Sequence, residues 1–123
     1  MLSPSKEETL RLWEYSFPPG WLPLVKVILD RMDAVQTLIF VSQIKEKFGT
    51  LRCYYDIISE QDFPEDEKDP IYKDLDRLQY FVWDMESFSA LVCQDCGATA
   101  TTKLRELSWV RALCDDCVKS YSS

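Results

Sequence analysis

Four of the five cysteines fall in two pairs, "CQDC" at Cys93–Cys96 and "CDDC" at Cys114–Cys117, in the pattern C-x2-C-x17-C-x2-C. Two such pairs can surround one ion tetrahedrally, at about 2.3 Å per Zn–S bond. A single pair would read equally well as a redox disulfide. That reading needs one pair at a helix start after a strand, and it leaves the second pair unexplained. The spacing therefore predicts one Zn2+ held by Cys93, Cys96, Cys114 and Cys117. With thiolates in all four positions no place is left for water, so the predicted zinc is structural, not catalytic.

The flanks predict the shape of the unit. Gly97 directly follows the first pair, where a knuckle turn needs a left-handed residue so that backbone N–H groups can face the sulfurs. "TATTKLRELSWVRAL" reads as a β-hairpin. Cys117 runs into "VKSYSS", which can continue a short helix whose N-terminus favours thiolates. Knuckle, hairpin and helix make a treble-clef-like zinc finger, with Trp109 and Leu113 expected over the metal's apolar side. A zinc ion bound by four thiolates carries a formal charge of −2. Lys103, Arg105, Arg111 and Lys119 stand close enough in sequence to offset it. Their rival reading is a phosphate-binding surface.

Upstream, the periodicity predicts an α+β body. Ser3-Pro4 or the box Ser5-Lys6-Glu7-Glu8 starts a helix over residues 4–15, and "SFPPG" ends it. "WLPLVKVILDRM" is a second helix with Leu24, Val25, Ile28, Leu29 and Met32 on one stripe and Trp21 anchoring its start. The β-branched and aromatic residues on both sides of Phe48-Gly49 predict a hairpin with strands at 37–46 and 50–57. Leu51, Cys53, Tyr55 and Ile57 share one face of it, and Lys45, Lys47 and Arg52 lie near the tip. Asp69-Pro70 caps and opens a long helix whose stripe is Ile71, Leu75, Leu78, Val82 and Met85, widened by Tyr72, Phe81 and Phe88. The expected organisation is one domain over 1–123, with a helical and hairpin body at 1–92 and a zinc-finger subdomain at 93–123.

Charge and composition narrow the function. The net charge is −7, and residues 56–92 alone hold 3 basic and 11 acidic side chains. Such a field opposes non-specific binding to nucleic acid or anionic lipid. No apolar run has membrane-spanning length, and "MLSPSKEETLRLW" has no signal-peptide character, so a cytoplasmic protein with reduced thiols is expected. Histidine is absent, and no nucleophile elbow, P-loop, metalloprotease or dinucleotide motif occurs. Cys53, with no histidine to activate it, reads as a small buried hydrophobe. The chain is therefore predicted not to be an enzyme.

In order along the chain, "GWLPL", "KEKFGTLRCY", "SALVCQDCG" and "WVRALCDDC" resemble a largely uncharacterised family of small bacterial and bacteriophage proteins. The likeness spans roughly residues 18–117, and "KEKFGTLR" is its most distinctive part. It implies a zinc-binding C-terminus through the same four cysteines and implies no reaction. It departs at "ATATTK", where relatives often have a glycine-containing turn. A second resemblance is to the DksA/TraR type of polymerase-binding regulators, which space their cysteine pairs by seventeen residues but lack a counterpart of "KEKFGTLR".

Two functions from different classes follow. The first is a non-enzymatic, zinc-stabilised protein-binding module. In the phage or mobile-element setting that the resemblance implies, it would be an inhibitor or adaptor engaging a basic host protein through Asp62, Glu65, Asp66, Glu67 and Asp69. The plainer reading of those carboxylates is a solvated loop. The second is a zinc-finger regulator touching nucleic acid or RNA polymerase through Lys45, Lys47 and Arg52, with Tyr54 stacking beside them.

Overall fold

The computed structural model describes residues 5–35, 38–57, 64–66, 68–106 and 109–121, the side chains of 105, 106 and 109 excepted. Ser5 is the cap that starts helix α1 (Lys6–Trp13), its hydroxyl accepting from the Glu8 amide at 3.2 Å. The helix is shorter than the 4–15 expected, and Ser3 and Pro4 lie outside the described residues. After a 3-10 turn at Pro19–Trp21, α2 (Leu22–Met32) begins with its proline in the first turn, where the missing N–H costs nothing. Val25, Ile28, Leu29 and Met32 are buried as its stripe requires. A second 3-10 turn, Asp33–Val35, leads into the sheet.

Strands β1 (Ile39–Lys47) and β2 (Thr50–Ile57) form an antiparallel hairpin. Its turn is two residues long, and both have positive φ, Phe48 at 54° and Gly49 at 82°. That is the type I′ geometry that matches strand twist. Sequence pointed to Gly49 alone. Phe48 takes the less common left-handed conformation as a bulky residue, with its ring exposed and the Lys47 ammonium 5.8 Å from its centre. A bulge between Val41 and Gln43 kinks β1 and keeps both of its halves turned to the core. Leu51 and Cys53 are buried as expected and Tyr55 is half-buried. Ile57, expected on the same inward face, is exposed, because β2 ends beyond the cover of the core.

Helix α3 (Pro70–Ser89) starts at Asp69, whose carboxylate accepts from the Ile71 amide at 3.0 Å. Leu78 and Val82 are buried in the core, with Ile71, Leu75 and Met85 packed against it. Phe88 does not widen the stripe. At about 100° per residue it stands a quarter-turn or more from the Leu78–Val82 line, and it is exposed. Glu86 and Ser89 occupy the buried face instead.

Their burial is explained by the β2 edge. Ser89 Oγ accepts from the Leu51 amide at 2.7 Å, and Glu86 Oε2 accepts from the Cys53 amide at 2.9 Å. An edge strand buried against a helix would otherwise leave these N–H groups unpaired. Burial, with the Glu86 charge behind it, pushes the Cys53 thiol up to about 12. Cys53 is thus an inert core group, in line with its sequence reading.

Candidate metal centre

The first pair sits on a tight turn after α3. Gly97 has φ 86°, and its amide donates to the Cys93 carbonyl at 2.9 Å. The Cys93 amide donates to the Ala98 carbonyl at 2.7 Å. This is the left-handed knuckle that the glycine predicted. A short hairpin follows, β3 (Thr102–Glu106) paired with β4 (Trp109–Leu113). The second pair belongs to α4 (Asp115–Val118), a single helical turn capped by Cys114, whose sulfur lies 3.4 Å from the Cys117 amide.

These elements bring the four sulfurs within 4.8 Å of one another. Cys96 Sγ and Cys114 Sγ are 3.7 Å apart, and all four thiols are free. A tetrahedron with zinc–sulfur bonds of about 2.3 Å has edges of about 3.8 Å. The separation is far beyond a disulfide bond of about 2.05 Å. The donor set fits a thiophilic metal ion, and all four places of a tetrahedral shell would be filled by protein sulfur.

The local electrostatics also favour a cation. Burial pushes the Cys93 thiol up, but the amides of Cys114, Cys96 and Asp95 directed at it outweigh that and bring it down to about 6. Cys117 is pushed well up, first by the Cys114 sulfur and then by those of Cys96 and Cys93. One thiolate forms easily and resists further ones beside it. A dication among them reverses that sign and deprotonates the rest.

Five hydrogen bonds tie the knuckle, the hairpin and the C-terminal turns together. Gln94 is fully buried. Its amide donates to the Ala112 carbonyl at 2.9 Å, and its side-chain Oε1 accepts from the Ala112 amide at 2.6 Å. Arg111 bridges to Asp95 at 2.7 Å, and the Tyr121 hydroxyl donates to the same carboxylate at 2.9 Å. Thr101 Oγ1 donates to Asp115, joining the strand entry to the helical turn. Leu113 is fully buried beside the sulfurs' own segment, and the Trp109 side chain lies outside the described residues. Of the cations expected to offset the site, Arg111 is engaged by Asp95 and Lys103 is exposed. Lys119 reaches Asp116 at 3.9 Å, and the Arg105 side chain lies outside the described residues.

The rest of the molecule grips this module at two glycines. The Gly20 amide donates to the Gln94 carbonyl at 2.7 Å, and a Cβ on Gly20 would stand 2.0 Å from the Cys93 carbonyl oxygen. The next residue, Trp21, donates from its indole to the Val92 carbonyl at 2.9 Å. At the hairpin tip, a Cβ on Gly49 would meet Val110 Cγ1 of β4 at 3.2 Å. Sequence reading treated Gly20 as a helix breaker and missed both it and Gln94. A glycine directly before a buried tryptophan was the available signal.

The expected partner contacts are spread out. Glu65 and Asp66 are exposed, Asp69 serves as the α3 cap, and Asp62 and Glu67 lie outside the described residues. Lys45 is half-buried with its ammonium 5.7 Å from the Tyr54 ring centre, Lys47 lies by Phe48, and Arg52 is half-buried on β2. The tip between them backs onto β4 through Gly49. Among the described residues no helix is long and apolar enough to cross a membrane. Set against family models, curated proteins and solved structures, the chain finds no match in any of the three.

Proposed function

We propose that this chain is a non-enzymatic, protein-binding module whose C-terminal treble clef is closed by one structural zinc. The observation that carries the reading is the ring of four sulfurs within 4.8 Å on two turns contributed by a knuckle and a helix start. Four thiolates leave the ion no exchangeable ligand, so its work is to hold backbone. Binding energy in such sites is on the order of 10 kcal/mol and goes into folding. Zinc fits sulfur-only tetrahedral coordination; iron, a rival in a four-thiolate site, is told apart by its colour and by metal analysis.

The partner surface in this reading is the acidic stretch from Asp56 to Asp76, aimed at a basic protein surface. Native mass spectrometry tests the metal: one zinc per chain is expected, and a metal-free, fully folded chain would overturn the staple. Capture from a host lysate tests the surface. A variant with Asp62, Glu65, Asp66, Glu67 and Asp69 neutralised should lose the partner, and its retention would exclude that surface. The regulator reading has a direct test of its own, a gel shift at low salt, where the net charge of −7 leads us to expect no complex.

A further inference from the structure

The two capped amides of β2 stand beside a stretch for which the described residues provide no cap. Leu51 and Cys53 turn their N–H groups outward to Ser89 and Glu86. Strand alternation carries the same outward direction to Tyr55 and Ile57, and the bulge does not disturb it because it lies on β1. The outward groups recur every 6.8 Å or so along the strand, while the helix row facing them advances about 4.5–6 Å per step. After Ser89 and Glu86, the next residue on that row is Val82, which has no acceptor. The edge of Tyr55 and Ile57 therefore faces a groove of ≈ 610 Å³ between β2 and α3, continuous with a second of ≈ 310 Å³ through Tyr55, Ile57 and Gln79.

This groove suits a strand and not a globular ligand. One wall is a backbone edge with a donor and an acceptor every second residue. The other is Gln79 and Trp83, and Trp83 and Tyr54 are about half-exposed. Among the described residues, the charged groups along both grooves are Asp56, Asp76 and Glu86 against Arg52 alone. Asp84, next to Trp83 on α3, is also exposed. The field is therefore negative, and a cationic occupant is favoured.

We propose that the β2 edge at Tyr55–Ile57 receives an extended, lysine- or arginine-bearing peptide strand of a partner protein, by β-augmentation in the groove walled by Gln79 and Trp83. Backbone bonds to Tyr55 and Ile57 supply the anchoring, alternate side chains lie on Trp83, and the cations meet Asp56 and Asp76. The proposal rests on the protein-binding reading above and assigns it a place.

The test uses the zinc-loaded full chain and an alternating lysine–valine heptapeptide, followed by amide NMR. The expected result is saturable shifts centred on Tyr55 and Ile57, with their hydrogen exchange slowed in the complex. The same peptide N-methylated on alternate residues, and a glutamate–valine counterpart, should each bind at least about tenfold more weakly. Ile57→Pro removes one outward N–H at an exposed strand end, and Trp83→Ala removes the exposed wall. Both should keep zinc content and melting behaviour while weakening the peptide. No shift at these amides with millimolar peptide, or equal binding of the N-methylated peptide, overturns the proposal. So does protection of Tyr55 and Ile57 in the free monomer, which would show the edge to be already covered within the chain. A concentration-dependent dimer that shifts the same amides overturns it too, in favour of a second copy. If the peptide fails while lysate capture still retains a partner, only the edge is wrong, and the protein-binding reading stands.

Discussion

The two ends of the molecule are held by different forces. The body buries a continuous apolar cluster from the Pro19–Trp21 turn, α2, the β1–β2 hairpin and α3, among them Trp21, Ile28, Ile44, Leu51 and Leu78. The cysteine module has little to match it. Its buried apolar residues, among those described, are Cys93, Ala112 and Leu113, and one of those belongs to the four-sulfur cluster. Area removed from water stabilises the first at roughly 25 cal/mol per Å². The second has the Gln94, Arg111 and Asp115 ties, to which the proposed zinc would add four sulfur–metal bonds. A small unit without an apolar core needs a staple, and the four-sulfur cluster offers a place for one at the surface, with Cys96 exposed.

The largest expected effect separates the two directly. Chelation, or Cys114→Ser, should unfold the module, losing stabilisation on the order of 10 kcal/mol from that region. Thiol titration reads the outcome. Zinc-loaded protein should react slowly, chelated protein should expose four thiols, and Cys53 should respond only in denaturant. Five thiols released together on chelation would break the comparison, because the body would then depend on the metal.

Next come the glycine and tryptophan that join the halves. Trp21→Ala should cost about 3–5 kcal/mol through its cavity, with the Val92 carbonyl left unpaired besides. Gly20→Ala puts a methyl 2.0 Å from the Cys93 carbonyl and should cost about 1–3 kcal/mol or more. It should also weaken zinc in a chelator competition although Gly20 touches no sulfur. Unchanged zinc affinity would show the knuckle to be independent of the body.

Within the body, Glu86→Ala orphans the buried Cys53 amide and should cost about 1–3 kcal/mol in urea unfolding, while Glu86→Gln keeps an acceptor and should cost less. Gly49→Ala combines φ 82° with the Val110 contact and should cost about 1–2 kcal/mol. A further effect appears only in alkali. The Cys53 thiol moves from an ordinary 9.0 to about 12, so the unfolded chain releases this proton first. The folded state then binds more protons than the unfolded one, and stability should fall as pH rises from about 9 to about 12. Cys53→Val should flatten that part of the slope.

The cysteine spacing, the stripe of α3 and the Phe48-Gly49 turn were legible because each is a local pattern with one spatial meaning. Glu86 and Ser89 were not. Their partners are backbone amides more than 30 residues away, and no periodicity reports a strand edge that needs closing. Two polar residues three apart on the core side of a long helix were the trace they left. Gln94 was hidden by the motif around it, since the metal needs only the cysteines on either side. The two exposed misses differ: Phe88 stands off the Leu78–Val82 line by its place on the helix, whereas Ile57 leans inward beyond the end of the core. Sequence shows which way a side chain leans but not where the covering layer stops.

The bond between the Trp21 indole and the Val92 carbonyl spans 71 residues. On the ribosome the tryptophan is made long before its acceptor, and the cysteines of the second pair come later still. During synthesis the Gly20–Trp21 corner therefore waits until Val92 and Gln94 have been made before its hydrogen bonds can close.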